Sequence, residues 1–163
     1  MVYILDLQKD QLVKAKIVAP KRSEIPLKKD GWNFNWRELN KEENSRILIL
    51  KTTGLKSSVE GAIQLKVENE MLIMNALEIA PHNIGQKNKK YDYVAGCLIA
   101  FACRESFKLK SVYRGFLTFN AKTSLINWYS RKYGASIGLG QRMFIDSENG
   151  LKLINEYLGK RKR

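Results

Sequence analysis

Cysteine and histidine are scarce in this 163-residue chain, which holds only Cys97, Cys103 and His82. Two thiols and one imidazole fall short of the four ligands of a structural zinc site. A single histidine also argues against a Ser-His-Asp hydrolase. If Cys97 and Cys103 share a helix, six residues at 1.5 Å rise part them by about 9 Å, beyond disulfide reach. They read as buried thiols of a reducing compartment. No apolar run approaches the roughly 20 residues of a membrane span. The opening MVYILDLQKDQ has one four-residue apolar run and no small-residue cleavage site, so it is not expected to be a secretory signal. These absences exclude a disulfide scaffold, a zinc finger and a membrane protein, and the expected compartment is the cytoplasm. Internal repeats and low-complexity segments are missing as well.

Acidic residues are few beside basic ones, 16 against 29, which gives a net charge of +13. Such a cation favours anionic partners: nucleic acid, a phosphorylated cofactor or an acidic surface. Hydrophobic residues at 44% and charged residues at 28% are globular proportions. A chain of this length suits one domain and buries roughly 70% of its unfolded surface. The expectation is therefore a single domain over 1–163, whose core needs no metal or disulfide.

Residues 1–45 are the least regular part. Val2–Leu5 reads as a short strand, and Gln11–Val18 as a strand or short helix. Pro20 and Pro26 bracket a basic loop, and Gly31-Trp32-Asn33-Phe34-Asn35-Trp36 turns into a short helix through about Lys41. From Arg46 the pattern sharpens. Arg46–Thr52 and Val59–Val67 predict strands, a polar turn at Glu68-Asn69-Glu70 follows, and the almost wholly apolar Met71–Ala80 predicts a central strand covered on both faces. Tyr91–Phe107 reads as a helix, deeply buried because Val94 to Cys103 carry apolar or small side chains on every face, and Val112–Phe119 as a strand containing Gly115. Thr123–Tyr133 has amphipathic helical spacing, with Gly134 as its stop. Ser136–Ile137 and Arg142–Ile145 are short strands. Ser147 is expected to cap a helix over 148–158 that places Leu151, Ile154 and Leu158 on one stripe, ahead of a basic tail at 159–163. The order predicts an α/β (α+β) fold: a mixed, mostly antiparallel sheet over the 46–146 core, with helices on both faces.

The chemically informative stretch runs from Leu72 to Cys103: apolar strand, basic loop, buried helix. Its loop puts Lys87, Lys89 and Lys90 just ahead of a helix N-terminus, where free N–H groups and the dipole favour an anion. Ala95 and Gly96, small residues in the first turn, would let a ligand approach the backbone. The plain alternative is a solvated lysine loop before an ordinary helix.

Order and residues together resemble the acetyl-CoA-binding core of the GNAT N-acetyltransferase superfamily. The likeness covers roughly 46–146 and is strongest over 72–135. It rests on the strand Met71–Ala80 leading through a loop to a helix, with Lys90-Tyr91-Asp92-Tyr93-Val94-Ala95 in the place of the pyrophosphate loop. It rests also on Phe116–Phe119 followed by Leu125-Ile126-Asn127-Trp128-Tyr129 and Gly134-Ala135, which resembles the family's Ala-x-x-x-Tyr-x-x-x-Gly-Phe stretch. Pro81-His82-Asn83-Ile84-Gly85 and Gly140-Gln141-Arg142-Met143-Phe144-Ile145-Asp146 resemble a bacterial subgroup of unassigned substrate. The loop departs from the family pattern in three ways. Lys90 stands for Arg or Gln, Tyr93 stands for a glycine, and Asp92 brings a negative charge to the pyrophosphate position.

The resemblance implies a splayed sheet, acetyl-CoA as co-substrate, and transfer of its acetyl group to an amine of an unidentified acceptor. It implies Glu78 as general base and Tyr129 as the acid that protonates the leaving thiolate. It implies backbone N–H groups around Ile79 and Ala80 that polarise the carbonyl, and a cofactor site of Lys87, Lys89, Lys90, Tyr91, Tyr93, Val94, Ala95 and Gly96, with Lys122 near the pantetheine. No metal is expected. His82, just past the strand, is a substitute base. The rival expectation is a non-catalytic, RNA-associated or nucleic-acid-binding module that uses the positive charge, supported by the terminal Lys160-Arg161-Lys162-Arg163. No helix-turn-helix or RNA-binding aromatic strand motif accompanies it. Between the two lies an acetyltransferase whose acceptor is bound to nucleic acid, such as a charged tRNA.

Overall fold

The computed structural model describes residues 1–85 and 87–160. Nine strands form one sheet: β1 (Val2–Asp6), β2 (Gln11–Val18), β3 (Ser45–Thr52), β4 (Val59–Glu68), β5 (Met71–Ile79), β6 (Tyr91–Asp92), β7 (Leu117–Asn120), β8 (Ser136–Ile137) and β9 (Arg142–Ile145). Their order across the sheet is β6-β1-β2-β3-β4-β5-β7-β9-β8. Every pairing is antiparallel except β5 with β7. The helices are α1 (Trp36–Leu39), α2 (Val94–Ser106), α3 (Ile126–Tyr133) and α4 (Ser147–Leu153), the last running into a π-turn at Ile154–Leu158.

The β4–β5 hairpin turns through Asn69 and Glu70, both at positive φ, the geometry that matches the right-handed twist of the flanking strands. Across it the register breaks between Gln64 and Leu65, leaving Asn75 as the extra residue of a bulge. Before the bulge, Leu72 and Met74 of β5 join the main core. After it, Ala76 and Ala80 face the opposite side, with Ile49, Ala62 and the two tryptophans Trp32 and Trp36.

The main core lies between the sheet and α2. Cys97, Leu98, Ile99, Ala100 and Ala102 are all fully buried, as a helix apolar on every side requires. Each Leu or Ile buried there contributes about 1.5–3 kcal/mol. Leu153 and Tyr157 close this layer from the C-terminal helix. The second core is smaller and is roofed by the segment carrying Trp32 and α1, with Trp36 wholly buried.

β5 and β7 pair only at Leu72 with Leu117 and Ile73 with Thr118. From Met74 to Ile79, β5 has no strand partner on that side among the described residues, while β7 pairs along its whole length with β9. The sheet thus opens into a V at its centre.

Three expectations need correction. The helix expected from Tyr91 begins at Val94, because Tyr91 and Asp92 add a short strand to β1 opposite Asp6 and Leu5. Tyr93 then turns the chain in the left-handed region (φ 73°). The strand expected over 112–119 is confined to Leu117–Asn120. Gly115 sits at φ +86°, a turn conformation, and a Cβ there would lie 2.9 Å from the Phe107 ring and the Ser147 side chain. The last helix is capped by Asp146, whose Oδ1 accepts from Asn149 N at 2.9 Å, and its inward face carries Leu153 and Tyr157 while Leu151 is exposed. Of the basic tail, 161–163 lies outside the described residues.

Candidate active site

Two clefts meet at Ile79, the last residue of β5. The first, about 270 Å³, lies at the N-terminus of α2. Tyr93 caps that helix without a side-chain hydrogen bond, and the first intrahelical donor is Cys97 N to Tyr93 O at 2.9 Å. The N–H groups of Val94, Ala95 and Gly96 therefore have no backbone partner and crowd the cleft wall, the arrangement that attracts an anion.

Of the three loop lysines only Lys89 lines this cleft. Lys87 is exposed. The Lys90 ammonium lies 5.3 Å from the Tyr91 ring centre, and its backbone is taken up by His82 O and Leu7 N. Lys89 is paired: its Nζ donates to Asp92 Oδ1 at 2.9 Å, and the same oxygen accepts from Tyr93 N at 2.8 Å. Burial works against the charge of Asp92, yet Lys89, the Tyr93 N–H and the positive field of Lys132 hold its carboxyl below the usual range. The charge of Asp92 is thus neutralised within the loop itself.

Gly96 does not open the backbone to a ligand as its size suggested. A Cβ there would lie 2.1 Å from Tyr157 Cε1, so the space a side chain would occupy is filled by the tyrosine ring. Trp128, Tyr133 and Tyr157 complete an aromatic wall, with Tyr93 edge-on to Tyr157 and the Lys160 ammonium 4.4 Å from the Tyr93 ring centre. Burial pushes the Tyr157 phenol up to about 12 and raises that of Tyr133 as well, so both stay neutral donors. Trp128, Lys132, Tyr133 and Tyr157 line this cleft although the sequence reading did not include them in its expected site. They come from two helices distant in sequence, and no spacing marks them.

The second cleft, about 370 Å³, is the V between β5 and β7. Tyr129 enters it from α3, with its ring 4.9 Å from that of Phe119 on β7. Burial raises its phenol above the ordinary value, so the hydroxyl keeps its proton. Leu125 and Lys122 line the same side.

Glu78 lies on the opposite wall, 8% exposed. Its Oε2 accepts from Asn33 N at 2.6 Å, and its Oε1 from Phe34 N at 3.1 Å and Trp36 Nε1 at 2.9 Å. A carboxylate offers about four lone-pair sites. Three are used, and the remaining one is on Oε2. Glu78 is thereby the tether that folds the Trp32–Trp36 segment over the second core, and no lysine or arginine pairs with it among the described residues.

The two amides expected to polarise a carbonyl differ. Ala80 N donates to Glu60 O at 2.8 Å, so it points back into the sheet and is unavailable, which corrects the sequence reading. Gly61 and Ile79 face each other as the adjoining non-hydrogen-bonded pair, so the Ile79 N–H points away from β4, into the V. His82 is committed elsewhere. Its Nε2 pairs with Glu60 Oε2, which also accepts from Asn83 Nδ2 at 2.8 Å. Asn83 Oδ1 in turn accepts from Tyr91 N at 2.9 Å. Glu60, fully buried, thus anchors the loop between β5 and β6. Sequence reasoning missed it, since an isolated glutamate at a strand end gives no signal.

No group of three or more His, Cys, Asp or Glu side chains is placed to hold a metal among the described residues, and no helix among them is long and apolar enough to cross a membrane. No family model and no curated protein matches the sequence. Solved structures do match. A chain of the KacTA–DNA complex is similar at 12% identity with a TM-score of 0.61, over 88% of this chain and 99% of that one. AtaTR bound with acetyl-CoA is similar at 14% identity and 0.59, over 86% and 98%. A spermidine N-acetyltransferase SpeG chimera from Vibrio cholerae and hSSAT is similar at 14% identity and 0.54, over 84% and 98%. The chain therefore has the fold of the GNAT acetyltransferases, with its clefts at the V and at the helix N-terminus beside it.

Proposed function

We propose that the protein transfers an acetyl group from acetyl-CoA to an amine. The observation that carries this reading is that the two clefts share Ile79 as a lining residue: an anion-attracting helix N-terminus adjoins a V that holds a protonated phenol and a buried carboxylate. The pyrophosphate lies on the N–H groups of Val94, Ala95 and Gly96, beside Lys89, with Tyr91 and Tyr93 at the rim. The pantetheine arm passes Ile79 into the V, toward Lys122.

The chemistry follows from the groups present. The neutral amine attacks the thioester carbonyl, and the Ile79 N–H, aimed into the V, stabilises the oxyanion. Glu78 takes the amine proton on the free lone pair of Oε2, directly or through water. The C–S bond breaks, Tyr129 protonates the thiolate, and solvent takes the proton from Glu78 and returns one to the phenolate. The products are the amide and CoA thiol, with no oxidant or metal needed. The reading also keeps the protein in the cytoplasm, where two free buried thiols stay reduced.

Calorimetric titration with acetyl-CoA tests the cofactor, and thiol release above background tests the chemistry. The net charge of +13 favours the second reading, a nucleic-acid-binding module. Salt-sensitive RNA retention by a protein that fails to bind acetyl-CoA is the result that selects it.

A further inference from the structure

The walls of the V carry information about the acceptor. Among the described residues, only two charged side chains line this cleft, Glu78 and Lys122. Glu78 is already bonded by three N–H donors and has one acceptor site left, enough for a single amine. Lys122 is exposed and contributes a positive charge. Three large apolar side chains that line the same cleft are unusually accessible: Ile84 at 54%, Phe34 at 43% and Leu125 at 38%. They come from three separate segments: the loop after β5, the segment tethered by Glu78, and the turn before α3. Apolar side chains that converge on one cleft from unrelated segments form a binding surface rather than scattered surface residues.

We infer, resting on the acetyltransferase reading, that the acceptor is a primary amine carrying an apolar or aromatic substituent and no second positive charge. The amine meets the free lone pair of Glu78, and the substituent covers Phe34, Ile84 and Leu125. A polyamine is disfavoured twice. Its further ammonium groups find no free carboxylate along the cleft among the described residues, and a net charge of +13 repels it.

The experiment compares 2-phenylethylamine with spermidine as acceptors for the full-length protein, read as thiol release from acetyl-CoA. The expected kcat/KM is at least tenfold higher for phenylethylamine. In the variant Ile84→Glu/Leu125→Glu, both changes at accessible positions, the ratio should fall tenfold or more toward spermidine. A wild-type preference for spermidine, or a ratio unmoved by the double variant, overturns the inference while leaving the acetyltransferase reading standing. If neither amine is turned over, calorimetry with phenylethylamine decides, in the presence and absence of CoA. Binding that the double variant abolishes upholds the apolar site, and no binding overturns it. The acetyltransferase reading fails separately, by absence of acetyl-CoA binding.

Discussion

The V between β5 and β7 and the cleft at the α2 N-terminus share Ile79 but are built from different materials. The V is a product of backbone: two strands pair at Leu72 and Ile73 and then part, and the carboxylate on its wall is held by main-chain N–H groups of Asn33 and Phe34 with one indole. The α2 cleft is a product of side chains. Trp128, Tyr133 and Tyr157 wall it, and a Lys89–Asp92 pair crosses its mouth. A backbone-built site tolerates exchange of most side chains but depends strongly on the few that do chemistry. A side-chain-built site spreads its energetics over many contacts, so single changes tune it.

The sharpest test of that contrast is Tyr129→Phe in the V. The change removes one hydroxyl and keeps the ring against Phe119. Turnover should fall by roughly 10²-fold or more while acetyl-CoA affinity and folding stay nearly unchanged, the signature of an acid that acts only in the transition state. Hydrolysis of acetyl-CoA is the readout, since the thiolate leaves in that reaction too. Wild-type hydrolysis should also show no alkaline loss below about pH 10, because burial holds the phenol protonated above its ordinary value. Equal hydrolysis by both proteins, with wild type above background, would remove Tyr129 from the mechanism.

A smaller effect is expected in the α2 cleft. Lys89→Glu puts a second carboxylate beside Asp92 at the mouth, and acetyl-CoA affinity should drop about tenfold, or 1.4 kcal/mol. Lys87→Glu, on an exposed side chain outside the cleft, should change affinity by less than twofold at physiological salt. Equal losses from the two would mean that the loop acts through its general charge.

The same contrast explains what was legible in the sequence. Strand alternation, Gly134 as a helix stop and the apolar run of β5 placed the strands and the helix that border the V, because local backbone geometry is written in local pattern, while the opening itself was implied only by the family resemblance. Glu78 was visible as a carboxylate out of place in an apolar strand. Its donors were not, since Asn33, Phe34 and Trp36 lie more than 40 positions away in an irregular segment. The start of α2 was misplaced because Tyr91 and Asp92 have helix-compatible neighbours, and only their pairing with β1 makes them extended. Gly96 looked like an opening for a ligand, whereas its empty side belongs to Tyr157, which the sequence places 61 residues later with no mark of the contact.

Asp92→Asn probes the side-chain cleft from the other direction. As a carboxylate, Asp92 competes with any bound phosphate for Lys89 Nζ and Tyr93 N. The amide keeps an oxygen for the Tyr93 N–H and loses the charge. Acetyl-CoA should bind severalfold tighter, most visibly at low ionic strength. The exchange should also flatten the acid limb of stability. The carboxyl of Asp92 titrates lower in the fold than in the unfolded chain, so its contribution is present above about pH 4 and is lost as pH falls through the folded value.

The finest test uses the helix on which both clefts rest. Cys97 lies within a turn of the α2 cleft, and Cys103 lies two turns further along, under Gly150 of α4. Burial pushes both thiols up to about 12, so neither offers a reactive thiolate at neutral pH. Labelling by an aromatic disulfide reagent should therefore be slow at both. The sign of the pH effect on stability follows from the same shift. The stability tied to the neutral thiols is intact below the unfolded value near about 8.5 and declines as pH rises toward the folded one. If the side-chain-built end of α2 opens more readily than its middle, Cys97 should label a few-fold faster than Cys103, and acetyl-CoA should close that gap by bridging the first-turn N–H groups. Equal rates with and without acetyl-CoA would mean that α2 opens only with the whole molecule, and the two clefts would then differ in composition but not in rigidity.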